Sequence, residues 1–135
     1  MYRFILVLIL LSSLLGCEKS VNGIQTIGCK DLILGCDIGV GKITFNQKPK
    51  PLTPFIIIFK ALKPDANLSL IKAQFNMQDM QMGFNEYRFI QEKTGIWQAN
   101  VILPVCMQGR ADWLMTFEIT ENGKQKKLNI PFKSS

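Results

Sequence analysis

The sequence predicts an all-β protein: an immunoglobulin-like β-sandwich of about seven to eight strands, preceded by a helical signal peptide. Three observations lead there. Short runs of alternating apolar and polar residues recur from residue 42 to residue 132, and a period of two marks a strand with one buried face. Turn residues interrupt these runs about every eight to twelve positions, the spacing of a sandwich rather than of alternating strands and helices. After residue 16 no stretch sustains the 3.6-residue period of an amphipathic helix.

The first element is the signal. Met1-Tyr2-Arg3 puts one positive charge before an apolar run over residues 4–15, broken only by Ser12 and Ser13. That is the pattern of a secretory signal, and it is shorter than the ~20 residues that span a bilayer. A short membrane anchor is the alternative. The run ends in Leu14-Leu15-Gly16-Cys17, which resembles the bacterial lipoprotein box. The resemblance implies cleavage after residue 16 and lipid on Cys17, and acyl chains anchor a protein without spanning the membrane. Glu18 in place of an aspartate implies the periplasmic face of the outer membrane, for a Gram-negative source. Residues 17–28 are polar and rich in small residues and are expected to be the lipidated tether. Residues 29–135 then form one domain with a modest core.

Within the domain, Leu32-Ile33-Leu34 between Cys29 and Cys36 is a possible short first strand, and residues 39–41 carry a turn signal. Residues 42–46 alternate, with Ile43 and Phe45 on one face. Pro49, Pro51 and Pro54 exclude helix and central strand from the next stretch, because proline lacks the backbone donor. Residues 55–59 are continuously apolar, as in a buried strand, and residues 64–67 form a turn. Residues 68–75 are a strand whose apolar parity changes between Leu70 and Ala73, the sign of a bulge or twist. Residues 87–91 alternate and lead into a hairpin turn at 92–95. Residues 96–103 place Trp97, Ala99 and Val101 on one side, and Pro104 ends them. Residues 112–120 put Trp113, Met115, Phe117 and Ile119 on one face, which makes Trp113 a core residue. Asn122-Gly123 is a strong hairpin signal, and Leu128, Ile130 and Phe132 complete the last strand. The cysteine–tryptophan–cysteine spacing of antibody domains is absent.

Sixteen basic residues against ten acidic ones give a net charge of +6. The basic residues are dispersed, apart from Lys124-Gln125-Lys126-Lys127 in a turn, and no aromatic–basic interleaving points to nucleic acid. There is no histidine, so the commonest metal ligand and the commonest general base are missing. No nucleophile–base pair, paired carboxylates or phosphate loop can be named, and an enzyme is not expected. Arg88 and Arg110, the arginines beyond the signal, are expected in surface ion pairs rather than in an anion site.

With Cys17 lipidated, Cys29, Cys36 and Cys106 remain. An oxidising compartment favours one disulfide among them and leaves one thiol over. Connectivity is not deducible from sequence. A bond from Cys29 or Cys36 to Cys106, closing a long loop worth ~3–5 kcal/mol, is slightly preferred over the local Cys29–Cys36 bond.

The chemically distinctive stretch holds Met77, Met80 and Met82 within six residues, followed by Gly83. If successive strands are antiparallel, the strands ending near Phe75 and Leu103 point the same way. Residues 77–85, residues 104–111 and the proline turn then share one end of the sandwich, which brings the methionines toward Cys106 and Met107. Copper(I) is soft and accepts thioether and thiolate ligands. Methionine cannot be lost to disulfides in an oxidising compartment. Met80 and Met82, two apart on an extended segment, would face the same side, and Met77 or a sulfur of the second loop could complete the set. The candidate ligands are therefore Met77, Met80, Met82 and Cys106. Copper(II) would want imidazole, and zinc would want more thiolates. The alternative is structural: methionine fills irregular core gaps and covers adaptable docking surfaces, which would suit an envelope protein partner.

Together the lipoprotein box, Asp79-Met80-Gln81-Met82-Gly83-Phe84-Asn85 and Leu103-Pro104-Val105-Cys106 followed by Trp113 resemble a family of small bacterial exported lipoproteins with an Asp-Met-x-Met-Gly-x-Asn core and a Leu-Pro-Val-Cys motif. The likeness runs from about Cys36 to Phe132. More distantly, the sandwich plan and methionine loop are similar to FixH-like and YtkA-like exported domains. That similarity implies an association with copper handling and respiratory oxidase assembly.

Overall fold

The structure, a computed structural model, describes residues 23–80 and 82–135. The signal peptide, the expected lipidation site Cys17 and the start of the tether lie outside the described residues. Among those described, ten strands form two sheets and there is no helix. The strands are β1 (Gln25–Thr26), β2 (Cys36–Asp37), β3 (Gly41–Phe45), β4 (Phe55–Ala61), β5 (Leu68–Met77), β6 (Glu86–Arg88), β7 (Ile90–Lys93), β8 (Ile96–Val101), β9 (Asp112–Glu121) and β10 (Lys124–Lys133).

One sheet has the order β1-β10-β9-β5-β6 and the other β2-β3-β4-β8-β7. Leaving aside the two-residue edge strands β1 and β2, the strands from β3 to β10 take the places A, B, C, C′, D, E, F and G of an immunoglobulin-like sandwich. The sheets are then A-B-E-D and G-F-C-C′. The expected fold class is thus present, with ten strands in place of seven to eight. The surplus is β1, β2 and a division at Phe89. Residues 87–91, expected as a single strand, change sheets there: β6 pairs with β5 and β7 pairs with β8. Phe89 turns its ring into the core against Phe117, with centroids 5.6 Å apart.

Alternation fills the space between the sheets. Ile43 and Phe45, Ile57 and Phe59, Ala73 and Phe75, Met115, Phe117 and Ile119, and Leu128 and Ile130 are all buried. Phe59 meets Phe117 at 5.4 Å, and Phe45 meets Phe55 at 5.3 Å and Phe132 at 5.4 Å, within the range of favourable aromatic pairs. The expected parity change in β5 is a bulge: the register against β9 slips between Ser69 and Lys72, and Leu70 has φ +45°. Asn122 and Gly123 both have positive φ, as a type I′ hairpin requires.

Two local expectations fail. Leu32-Ile33-Leu34 is a turn, not a strand. The Asp31 carboxylate accepts the Ile33 N–H at 2.8 Å and the Asp31 carbonyl accepts the Gly35 N–H at 3.1 Å. Gly35, at φ +103°, turns the chain back. The disulfide also differs from the slight preference for Cys106. Cys29 and Cys36 are bonded, with Cα atoms 5.5 Å apart, and Cys106 is free. The Asp31–Gly35 turn folds residues 29–36 into a hook that brings the two local cysteines together, so the bond needs no distant partner. Part of the expected tether is itself strand, since β1 pairs in parallel with Leu128–Asn129 of β10.

Candidate functional site

The loops beyond β3, β5 and β8 meet at one end of the sandwich, as the strand directions predict. The Leu103 carbonyl accepts the Leu52 N–H at 2.9 Å, which joins the proline turn to the loop after β8. The Gln78 carbonyl accepts Nη2 of Arg110 at 2.8 Å, which joins that loop to the methionine loop. The Pro49 carbonyl accepts the Ser135 N–H at 2.8 Å, so the C-terminus lies here as well. We refer to this as the loop end.

The methionines begin inside the core. β5 carries its inward parity to Met77, which is 3% exposed and opposite Trp113 of β9. The chain then turns tightly: Asp79 takes φ +62°, a region where aspartate is enriched, and the Met77 carbonyl accepts the Met80 N–H at 3.1 Å. Met77 and Met80 form an antiparallel bridge. Residues so paired stand on the same side with Cβ atoms about 4.5–5.5 Å apart, so the two side chains leave the turn from one side. Met82 is half-buried, its N–H donating to Oδ1 of Asn76 at 3.3 Å. Met80 and Met82 both pack against the core.

Cys106 opens the facing loop. It is 7% exposed, and its carbonyl accepts the Gly109 N–H at 3.0 Å in a turn that Gly109 closes at φ +68°. Four residues on, Arg110 clamps the two loops. Its Nε donates to Oδ1 of Asp112 at 3.0 Å and its Nη2 donates both to Oδ2 of Asp112 and to the Gln78 carbonyl. The hydrogen bonds and charge of Asp112 hold the guanidinium above its ordinary pKa, despite some desolvation, with Cys106 and Asp79 adding to the field. The same hydrogen bonds from Arg110 hold the Asp112 carboxyl below its ordinary value, against some desolvation and with Lys133 contributing. Arg110 is therefore the ion-pair residue the sequence suggests. Its cross-loop bond to Gln78 has no sequence signal, because the two residues are 32 positions apart.

The structure thus sets Met77 beside Met80, brings Met82 onto the same core edge, and places Cys106 on the neighbouring loop tied to theirs. Among the described residues no three Asp, Glu, His or Cys side chains gather as a metal-binding group. Beside the Asp79 and Asp112 carboxylates, the sulfurs of Met77, Met80, Met82 and Cys106 are the soft donors at this end. Around them the surface is apolar: Phe84 is 86% exposed and Met107 96%, with Leu52 and Val105 also exposed. Three buried side-chain atoms that have no hydrogen-bond partner among the described residues, Asn85 Nδ2, Trp113 Nε1 and Ser134 Oγ, lie here too. Such groups are few in a folded protein.

Comparison with protein families, with curated proteins and with solved structures finds no match.

Proposed function

We propose that this chain is a lipid-anchored envelope protein, held at the periplasmic face of the outer membrane through Cys17, that binds copper(I) at the loop end and passes it on. The observation that carries the metal reading is the Met77–Met80 bridge, a backbone pairing that starts the two methionine side chains from one side of the turn. Cys106 offers a thiol on the adjoining loop and Met82 a third thioether. A low-coordinate soft cation matches that donor set. The burial of Met77 and Cys106 favours a site at the edge of the core, shielded from water.

A second reading rests on a different observation. The exposed Phe84, Met107, Leu52 and Val105 make this end an apolar surface, and exposed apolar patches mark interaction sites. Under that reading the methionines are packing and the end docks an envelope protein.

The test uses the full mature chain carrying Cys17→Ser, so that it is unacylated, titrated with copper(I) against a chromogenic chelator under reducing conditions. Equimolar binding is expected. It should be lost when Met77, Met80 and Met82 are all replaced by leucine, which keeps the apolar volume, and weakened by Cys106→Ser. If the unaltered site leaves all copper with the chelator, the metal reading ends and the docking reading stands.

A further inference from the structure

The chain joins the sandwich through β1, and the joint has a direction. Gln25 and Thr26 pair in parallel with Leu128 and Asn129 of β10, and the Asn129 carbonyl accepts the Ile27 N–H at 2.8 Å. Just beyond, the Cys29–Cys36 bond closes the hook, and the Leu32 carbonyl accepts the Phe45 N–H at 2.8 Å, which ties the hook to β3. From Gln25 onward the chain is therefore fixed to the domain. β10 runs from the Asn122-Gly123 hairpin to the loop end, and β1, being parallel to it, runs the same way. Followed backwards, β1 points to the hairpin and away from the methionines.

Under the anchoring reading the lipid sits on Cys17, eight residues before Gln25. Eight residues reach at most about 26–29 Å, since an extended chain gains ~3.3–3.6 Å per residue. Gln25 stands opposite Leu128, six positions from Asn122, or ~20 Å of strand. Continuing in the direction of β1, the tether therefore carries the acyl group past the hairpin. Laying the loop end on a bilayer would demand a reversal at Gln25. A tight turn takes four residues and gains almost no length. The other four reach ~14 Å at most, short of the ~17 Å of strand over the five positions from Leu128 to Lys133. Charge at the hairpin end is mixed, with Lys63, Lys93, Lys124 and Lys126 among Asp65, Glu92 and Glu121, so the tether and not electrostatic attraction sets the direction.

We propose that the hairpin end faces the phospholipid bilayer, and that β1 orients the domain so that the loop end, with Met77, Met80 and Cys106, points away from the membrane. This orientation rests on the anchoring reading, and it is the same whether the loop end takes a metal or a protein.

The acylated chain is reconstituted in phosphatidylcholine vesicles that carry an energy acceptor on the lipid headgroups. In a Cys106→Ser background, a donor dye is attached at Lys124→Cys beside the hairpin or at Met107→Cys on the loop end, both exposed positions. Energy transfer from position 124 should exceed that from position 107 at least about twofold. Raising the salt to about 0.5 M, which screens surface charge, should leave the ratio unchanged. Twenty glycine and serine residues inserted between Ser20 and Val21 add about 25 Å of flexible reach and should bring the ratio close to one. Ile27→Pro, which removes the N–H that Asn129 accepts, should lower it as well. Equal transfer from the two positions, or greater transfer from position 107, overturns the proposal. So does a ratio that survives the insertion or collapses in salt, because the surface of the domain and not its tether would then set the direction. An intact mass without an acyl group at Cys17 ends the anchoring reading itself, and the orientation falls with it.

Discussion

The two ends of this sandwich are built differently. At the end away from the methionines, short turns interlock through backbone bonds. The Gly95 carbonyl accepts the Ala61 N–H at 2.8 Å, the Val40 carbonyl accepts the Leu62 N–H at 2.9 Å, and the Asn67 carbonyl accepts the Asn122 N–H at 3.0 Å. Those turns use residues suited to them, such as Asn122-Gly123 and Gly95. The loop end has longer connections. It carries Cys106, which is free, the exposed Phe84 and Met107, and, among the described residues, three buried polar atoms without a partner. Both ends cap the same core, so the core does not dictate the difference. Polar frustration and exposed apolar surface cost stability. A chain that can close one end with minimal turns but leaves the other open concentrates its departures from good packing where function is expected.

The comparison predicts that stability resides between the ends. Phe117 is fully buried and touches Phe59 and Phe89. Phe117→Ala should cost about 3–5 kcal/mol, whereas Met77→Leu, which keeps volume, should cost less than ~1.5 kcal/mol. Urea unfolding of the two variants measures both. A cost for Met77→Leu as large as that of Phe117→Ala would mean that the loop end is part of the structural core, and the contrast would fail.

The next effect belongs to the hook. The Cys29–Cys36 bond spans seven positions, and closing so short a loop is worth ~2–3 kcal/mol by chain entropy. Cys29→Ser with Cys36→Ser should lower stability by that amount. Amide exchange should quicken in residues 29–36, while the Asn122 amide keeps its protection. Uniform loss of protection at both ends would show that the hook braces the whole sandwich rather than one side of it.

Much of this was legible in the sequence, for definite reasons. β9 and β10 could be read because strict alternation from Trp113 to Ile119 and from Leu128 to Phe132 meets at Asn122-Gly123. The bulge in β5 showed itself as a parity change. The shared end of the loops followed from strand direction alone. What escaped depends on geometry without a local signature. Leu32-Ile33-Leu34 looks like a strand by composition, yet the Asp31 carboxylate and Gly35 turn it into a hook. The disulfide partner was set by that turn. The division of residues 87–91 between two sheets leaves the alternation intact, so no pattern marks it. The Met77–Met80 bridge needs the left-handed Asp79, which the sequence permits but does not demand.

The smallest expected effect tests the clamp that distinguishes the loop end. The Asp112 carboxyl titrates below its ordinary value because Arg110 hydrogen-bonds its charged form. A carboxyl depressed in the folded state contributes stability above its unfolded pKa, about 3.9, and loses that contribution as pH falls through the lower folded value. Lowering the pH below about 4 should therefore weaken the Arg110–Asp112 pair. The Arg110 Nε–H resonance should move in that window, and the amides next to Gln78 should follow, because Arg110 also holds the Gln78 carbonyl. Global stability should change little, since the pair is exposed to solvent. Asp112→Asn should flatten the acid dependence of the Arg110 signal while leaving the Asn122 hairpin untouched. If the amides next to Gln78 stay fixed while the Arg110 signal titrates, the two loops are joined by packing and not by the guanidinium. The methionines and Cys106 would then be held together independently of charge.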